Sequence, residues 1–299
     1  MTQAPDFSMR DLEVLQPWRW FAAVAFEYAV FVGVFTSLYF VFAWESYLKL
    51  PVIFALLVVL GARQHGLGVL EHEGAHRLVL NDPVLNDLTT KLLAALLLTS
   101  SLISYRRFHG KHHRSVGTVH DPELEHVQHS VLGKQWALPF SGRQLVGWWL
   151  LDCVGGAVPH MIMLIKLTKP QKARDIGEIV IFQLALITTL VILGLWWVPL
   201  VWFGALWTTF WASFRVRIWV EHVGAEEEVE STHCLMKPAG WVRFFFLPNN
   251  IWAHLAHHCY LKIPLYYLPE AQRRLQEKVP GITIGDLLRK LSQRSARTL

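Results

Sequence analysis

The chain is short of charge. Asp, Glu, Lys and Arg make up 17% of its 299 residues, against 53% apolar residues, and the mean hydropathy is positive at +0.31. That balance argues against an ordinary soluble domain and leaves a large helical protein with a wide core as the only soluble alternative. The net charge of +5 is carried in clusters beside apolar runs, which the positive-inside rule explains without a nucleic-acid partner. Cysteine is scarce too. Cys153, Cys234 and Cys259 are widely spaced and form no CxxC pair, so there is no disulfide framework. Cys259 adjoins His258 and reads either as a ligand or as a small hydrophobe. No CxxCH, Walker or helix-opening GxGxxG motif occurs, so any redox chemistry would draw electrons from a separate carrier. Repeats, low-complexity tracts and a cleavable signal are also missing. Asp6, Asp11 and Glu13 precede a first apolar run too long for a signal h-region, and the first spanning helix is expected to direct insertion.

What the chain has is tryptophan, 14 residues of it, and apolar runs approaching the roughly 20 residues that cross a bilayer. Residues 18–44 form the first run, broken only by Glu27, which is expected to face protein rather than lipid. A second run returns from Pro51 through Arg63 and His65 to about residue 76. Residues 84–104 are apolar enough for a third crossing, but Asp87, Lys91, Thr99, Ser100 and Ser101 suit lipid poorly, so a re-entrant or buried segment is expected. Residues 115–143 read as a cytosolic loop. Residues 144–167, interrupted by Asp152, Gly155, Gly156, Pro159 and His160, read as an interfacial or buried helix pair. Residues 176–198 and 199–219 complete four crossings, with Arg215 and Arg217 marking the return. The expected fold is an all-α integral membrane protein with about four transmembrane helices, re-entrant or interfacial helices and a cytosolic histidine-rich cap. Its expected parts are an interfacial start (1–17), a membrane domain (18–270) and an amphipathic basic tail (271–299). Both termini are expected in the cytosol.

Three histidine sets stand out: His72 and His76; His109, His112 and His113; and His254, His257 and His258. Positions i, i+3 and i+4 share one helical face. Four crossings would leave all three sets on one side of the membrane. Imidazole is a common ligand of zinc, copper, iron and nickel, and eight or nine neutral nitrogens suffice for two ions. The sets are therefore read as a dinuclear centre, with iron as the metal. Glu71, Glu73, Asp121, Glu123 and Glu221 are placed to accept from the second ring N–H of such ligands. His65, two turns before His72, is a candidate for substrate contact or ligand support. His120, His126, His129, His160 and His233 read as loop histidines, and the acidic run Glu226, Glu227, Glu228 and Glu230 as a solvated face.

The patterns HxxxH, HxxHH and HxxHH, with Tyr105-Arg106-Arg107, Gly117-Thr118, Asp121-Pro122-Glu123, Glu221-His222, His257-His258-Cys259-Tyr260, Ile263-Pro264 and Leu268-Pro269, resemble the membrane fatty acid desaturase superfamily from about residue 60 to 270. The resemblance implies two iron ions held by His72, His76, His109, His112, His113, His254, His257 and His258, with His222 as a ninth ligand. It also implies O2 as co-substrate, a fatty acyl or other long apolar substrate taken from the bilayer, and electrons from a ferredoxin- or cytochrome-type carrier. Some members have an Asn one turn before the ninth histidine; here that position is Ile218, and Asn250 is a candidate substitute. A basic face of Arg106, Arg107, Lys111, Arg114, Arg273 and Arg274 would suit an acidic donor.

Acyl desaturation is the simplest reaction implied, with hydroxylation, ketolation and alkene-forming decarboxylation as alternatives within the superfamily. Outside it stand a histidine-rich metal transporter, which would need ligands at mid-membrane depth, and a di-zinc hydrolase, which would need no electron donor.

Overall fold

The computed structural model describes residues 8–123, 141–225 and 227–293. Helix α1 (Pro17–Phe42) starts on a proline at its first turn, where the missing N–H costs nothing, and meets no breaker for 26 residues. Its buried residues Trp20, Val24, Glu27, Phe31, Val34, Leu38 and Val41 fall alternately four and three apart, so one stripe faces the protein and the rest is free for lipid. Helix α2 (Lys49–Ala75) has 27 residues, about 40 Å at 1.5 Å per residue. That exceeds a hydrocarbon core of about 30 Å by roughly two turns. The last turn of α2 carries His72, with His76 just past its end, and every residue from Leu60 to Ala75 except Gly68 is buried.

Glu27 faces protein, as expected, and is fully buried. It pairs with Arg63 at 3.2 Å and accepts from Asn249 Nδ2 at 3.1 Å, which also donates to the Gly66 carbonyl at 2.9 Å. The absence of a side chain at Gly66 makes this approach possible, because a Cβ there would overlap the Glu27 carboxylate. Gly61 serves the same end further down α2, where a Cβ would overlap Thr209 and the Phe210 backbone.

Residues 84–104 hold no continuous helix. Helix α3 (Pro83–Thr90) is capped by Asp82, a π turn follows at Lys91–Ala95, and Thr99 adopts φ 56°. Ser101 then caps α4 (Leu102–Ser115). The excursion brings α4 back beside the end of α2, so the first two histidine sets lie together.

Helices α5 (Gly142–Cys153) and α6 (Val158–Thr168) bend by 72° at their junction, forming the helix pair read from the sequence. Among the described residues, helix α7 (Ala173–Ile192) joins α1 and α2 as the helices long and apolar enough to cross a membrane, and the bent pair is a fourth candidate. The expected crossing over 199–219 is two helices, α8 (Trp197–Trp207) and α9 (Thr209–Glu221), parted at Thr208. Arg215 and Arg217 are buried on α9 in ion pairs with Asp152 and Glu221, so they bind the protein together.

Short helices α10 (Gly240–Phe245), α11 (His254–Cys259), α12 (Leu268–Leu275) and α13 (Ile284–Gln293) complete the chain. Leu275, Leu287 and Leu291 are buried in the main core, which accounts for the alternation of Leu with Arg and Lys in the tail. Arg274 pairs with Asp11 at 2.6 Å, and Gln16 donates to Tyr267 at 2.7 Å, so the start and end of the described chain lie together.

Candidate metal centre

Two sets of ring nitrogens converge where α2, α4, α9 and α11 meet. His72, His76, His109, His113 and His257 form one; His112, His222, His254 and His258 form the other; within each set the candidate donor atoms lie within 4.8 Å of one another. Helical spacing explains the split. On α4, His109 and His113 are four apart and share a set, while His112 faces the other. On α11, His254 and His258 pair in the same way, and His257 turns to the first. All nine histidines expected from the sequence are present, and the two sets touch through His113 and His258, with ring centroids 4.4 Å apart.

The spacings fit metal ions better than hydrogen bonds. His109 Nε2 lies 3.0 Å from His76 Nε2 and 2.8 Å from His113 Nε2, and His113 Nε2 lies 3.1 Å from His257 Nε2. In the other set His254 Nε2 lies 3.0 Å from His222 Nε2 and 3.1 Å from His258 Nε2. One ring nitrogen offers a single proton or a single lone pair, so it cannot bond well to two neighbours at once. Two imidazole nitrogens about 2.1 Å from a common ion stand about 3.0–3.4 Å apart, depending on the angle. His72 Nε2 is buried with no hydrogen-bond partner, as a donor atom awaiting a cation would be.

Protonation favours the same reading. Burial, first of all, holds His109, His254, His257 and His258 well below the usual imidazole range. It pushes His113 down to about 2 and His222 to about 3. Neutral rings are what a metal requires. His112 differs: burial would lower it, but Glu123 and Asp121 more than offset this, and its pKa is raised. The carboxylates that favour a proton there favour equally a cation on the ring's other nitrogen.

Of the carboxylates expected to orient rings, Asp121 does so, accepting from His112 Nδ1 at 2.9 Å. Glu123 stands at 3.7 Å from the same atom and Glu221 at 3.4 Å from His254 Nδ1; the latter is close enough for an ion pair but is not aligned as a hydrogen bond. Glu71 and Glu73 do not serve. Glu71 accepts from Ser100 at 2.6 Å and Glu73 from the Leu265 backbone N–H at 2.9 Å. Two partners escaped sequence reasoning. The Ser231 carbonyl accepts from His222 Nδ1 at 3.0 Å, and Tyr105 stacks on His109 with centroids 5.5 Å apart. A backbone acceptor leaves no mark in a sequence, whereas the placement of Tyr105 one turn before His109 was a visible signal.

Other candidates fall outside both sets. Asn250 donates to the Leu265 carbonyl at 3.2 Å, and Cys259 joins neither set. His65 is buried with both nitrogens unpartnered, edge-on to Phe210 and Phe214. His160 and His233 are buried rather than loop-exposed, and His233 bonds Glu228 and the Val223 carbonyl, each at 2.9 Å. Glu228 also holds Lys290 at 2.6 Å, so the acidic run is partly structural. His126, His129 and Glu226 lie outside the described residues.

The family model for fatty acid desaturases matches residues 48–285, which include every one of the nine histidines. The chain belongs to the fatty acid desaturase family. No curated protein matches it significantly. As a member of this family it is an integral membrane oxidoreductase acting on lipid, of the desaturase or hydroxylase type, and its histidine clusters fit an iron centre.

Proposed function

We propose that the protein is an O2-dependent acyl-lipid desaturase with two iron ions, one in each histidine set. The observation that carries this reading is the division of nine mutually close imidazoles into five and four. His72, His76, His109, His113 and His257 would hold one ion, and His112, His222, His254 and His258 the other. Bound there, the iron pair would supply the activation of O2 and the electron transfers needed to attack an unactivated C–H bond. The chain's own part is to keep eight of the nine rings neutral by burial, to fix His112 through Asp121 and His222 through Ser231, and to exclude water from the site.

The external donor would deliver electrons from a ferredoxin- or cytochrome-type carrier. Arg106 is a poor docking group, since its guanidinium is engaged by Asp87 and the Gly74 carbonyl. Arg107, Lys111 and Arg114 on the exposed side of α4 remain. We place the histidines and both termini in the cytosol; the pairing of Asp11 with Arg274 fits the two ends lying on one side. We also assign 1–17 as an interfacial start, 18–270 as the membrane domain and 271–299 as a basic tail.

Hydroxylation, ketolation and decarboxylation would differ in where the target carbon is held, to within about an ångström. A metal transporter is disfavoured because the nitrogens gather at helix ends rather than along a mid-membrane route. Expression in a lipid-producing host with mass spectrometry of its lipids tests the proposal. A product lacking two hydrogens, absent from the His112→Ala strain, is expected. A product with added oxygen or a lost carboxyl carbon would replace desaturation, and no change in any lipid, with the protein folded and reductant supplied, would refute it.

A further inference from the structure

We propose that the two metal positions are unequal by construction. The four-histidine position is backed by Asp121, Glu123 and Glu221, with Arg217 holding the last in place, and the five-histidine position has no carboxylate behind it. This rests on the two-ion reading above.

Behind the four-histidine set, Asp121 and Glu123 approach His112 Nδ1 at 2.9 and 3.7 Å, and Glu221 approaches His254 Nδ1 at 3.4 Å. Arg217 Nε donates to Glu221 Oε1 at 2.7 Å, one turn away on α9. Asp121, Glu221 and Arg217 are all buried. Three carboxylates and one guanidinium thus stand behind the four-histidine position.

Behind the five-histidine set, no carboxylate among the described residues comes within ion-pair distance of a ring nitrogen. His109 Nδ1 is buried without a partner. The two acidic residues flanking His72 on α2 are committed elsewhere, to Ser100 and Leu265. A fixed charge beside His76 is of the wrong sign: Arg106 donates to the Gly74 and Ala75 carbonyls.

An anionic acceptor on the outer N–H of a ligand ring raises the basicity of the inner nitrogen and fixes its orientation, and losing one typically weakens metal binding by about 10–100-fold. Asp121, through its hydrogen bond to His112, and Glu221, through its charge 3.4 Å from His254 Nδ1, are therefore positioning residues for one ion and not the other. Arg217 keeps Glu221 in place and relieves its repulsion from Glu123.

The test is Co2+ titration of the full-length, chelator-stripped protein in detergent, read by ligand-field absorption and by bound metal per chain. Native protein should bind two ions, and His258→Ala should abolish one step, which marks the four-histidine position. Glu221→Gln and Asp121→Asn should each weaken that same step by about 10–100-fold while the other stays within about twofold, and the double variant should weaken it further. If Glu221→Gln fails to fold, Asp121→Asn carries the test alone. Weakening of both steps alike, of different steps, or of neither would overturn the inequality while leaving the two-ion reading intact. Native protein binding fewer than two ions would remove both.

Discussion

The buried pair of Glu27 and Arg63 makes a quantitative prediction about what holds the membrane helices together. Their side chains are 0% and 4% exposed, so neither charge is solvated. Replacing Arg63 with leucine leaves the Glu27 carboxylate with one donor, Asn249, and no counter-charge. Breaking a buried pair from one side costs about 3–5 kcal/mol. The guanidinium also lies 4.6 Å from the Phe244 ring centroid, a contact of this type being worth about 0.5–2 kcal/mol, which moves the expectation toward the upper end. For a chain of this size that corresponds to a fall of roughly 5–8 °C in Tm. The double change Glu27→Leu with Arg63→Leu removes both charges, and Asn249 keeps the Gly66 carbonyl. It should lie within about 1 kcal/mol of native or above it. Thermal unfolding in detergent, followed by circular dichroism and by the monodisperse fraction after heating, distinguishes the two. A double variant as unstable as Arg63→Leu would refute the account of an uncompensated charge.

Gly61→Ala should destabilise by about 1–3 kcal/mol through overpacking against Thr209 and the Phe210 backbone; an unchanged Tm would mean that α9 does not approach α2 this closely. His65→Phe should fold, retain its metal and match or exceed native stability, since it removes two unpartnered buried nitrogens. Loss of product with metal content intact would instead make His65 a substrate contact. Arg273, ahead of Arg274, holds the Glu270 carboxylate down at about 2 against a normal 4.5. A depressed carboxylate stabilises fully above its unfolded value and loses that effect as pH falls toward the folded one. The tie around Arg274, and with it protection of residues 8–16 from hydrogen exchange, should thus hold from pH 8 to 5 and loosen between about 4.5 and 2. Release between pH 8 and 6 would contradict it.

The sequence made one kind of relation easy to see. Spacing within a helix showed that His109, His112 and His113, or His254, His257 and His258, share a face, and the long apolar runs showed α1, α2 and α7. It did not show the division into five and four, because the roughly 40–100° differences in direction among i, i+3 and i+4 matter only once another helix stands opposite. His222 was visible through resemblance alone, since a single histidine at a helix end has no local period. Relations across elements were the least legible. Arg106 read as a surface charge but is bonded to Asp87 and two α2 carbonyls. Arg217 read as a boundary marker, although its partner Glu221 is one turn away. Nothing in the local pattern around Asn249 foretells Glu27, which lies on α1. The crossing expected over 199–219 failed to register its break at Thr208 for a similar reason: a continuous apolar run fixes burial, not straightness.

The central claim is that nine histidines from four helices gather to hold two metal ions. Iron-edge anomalous scattering from crystals of protein purified with its native metal tests it most directly. Two peaks per chain are predicted, one among His72, His76, His109, His113 and His257 and one among His112, His222, His254 and His258. A single peak, or iron bound away from these rings, would contradict the account.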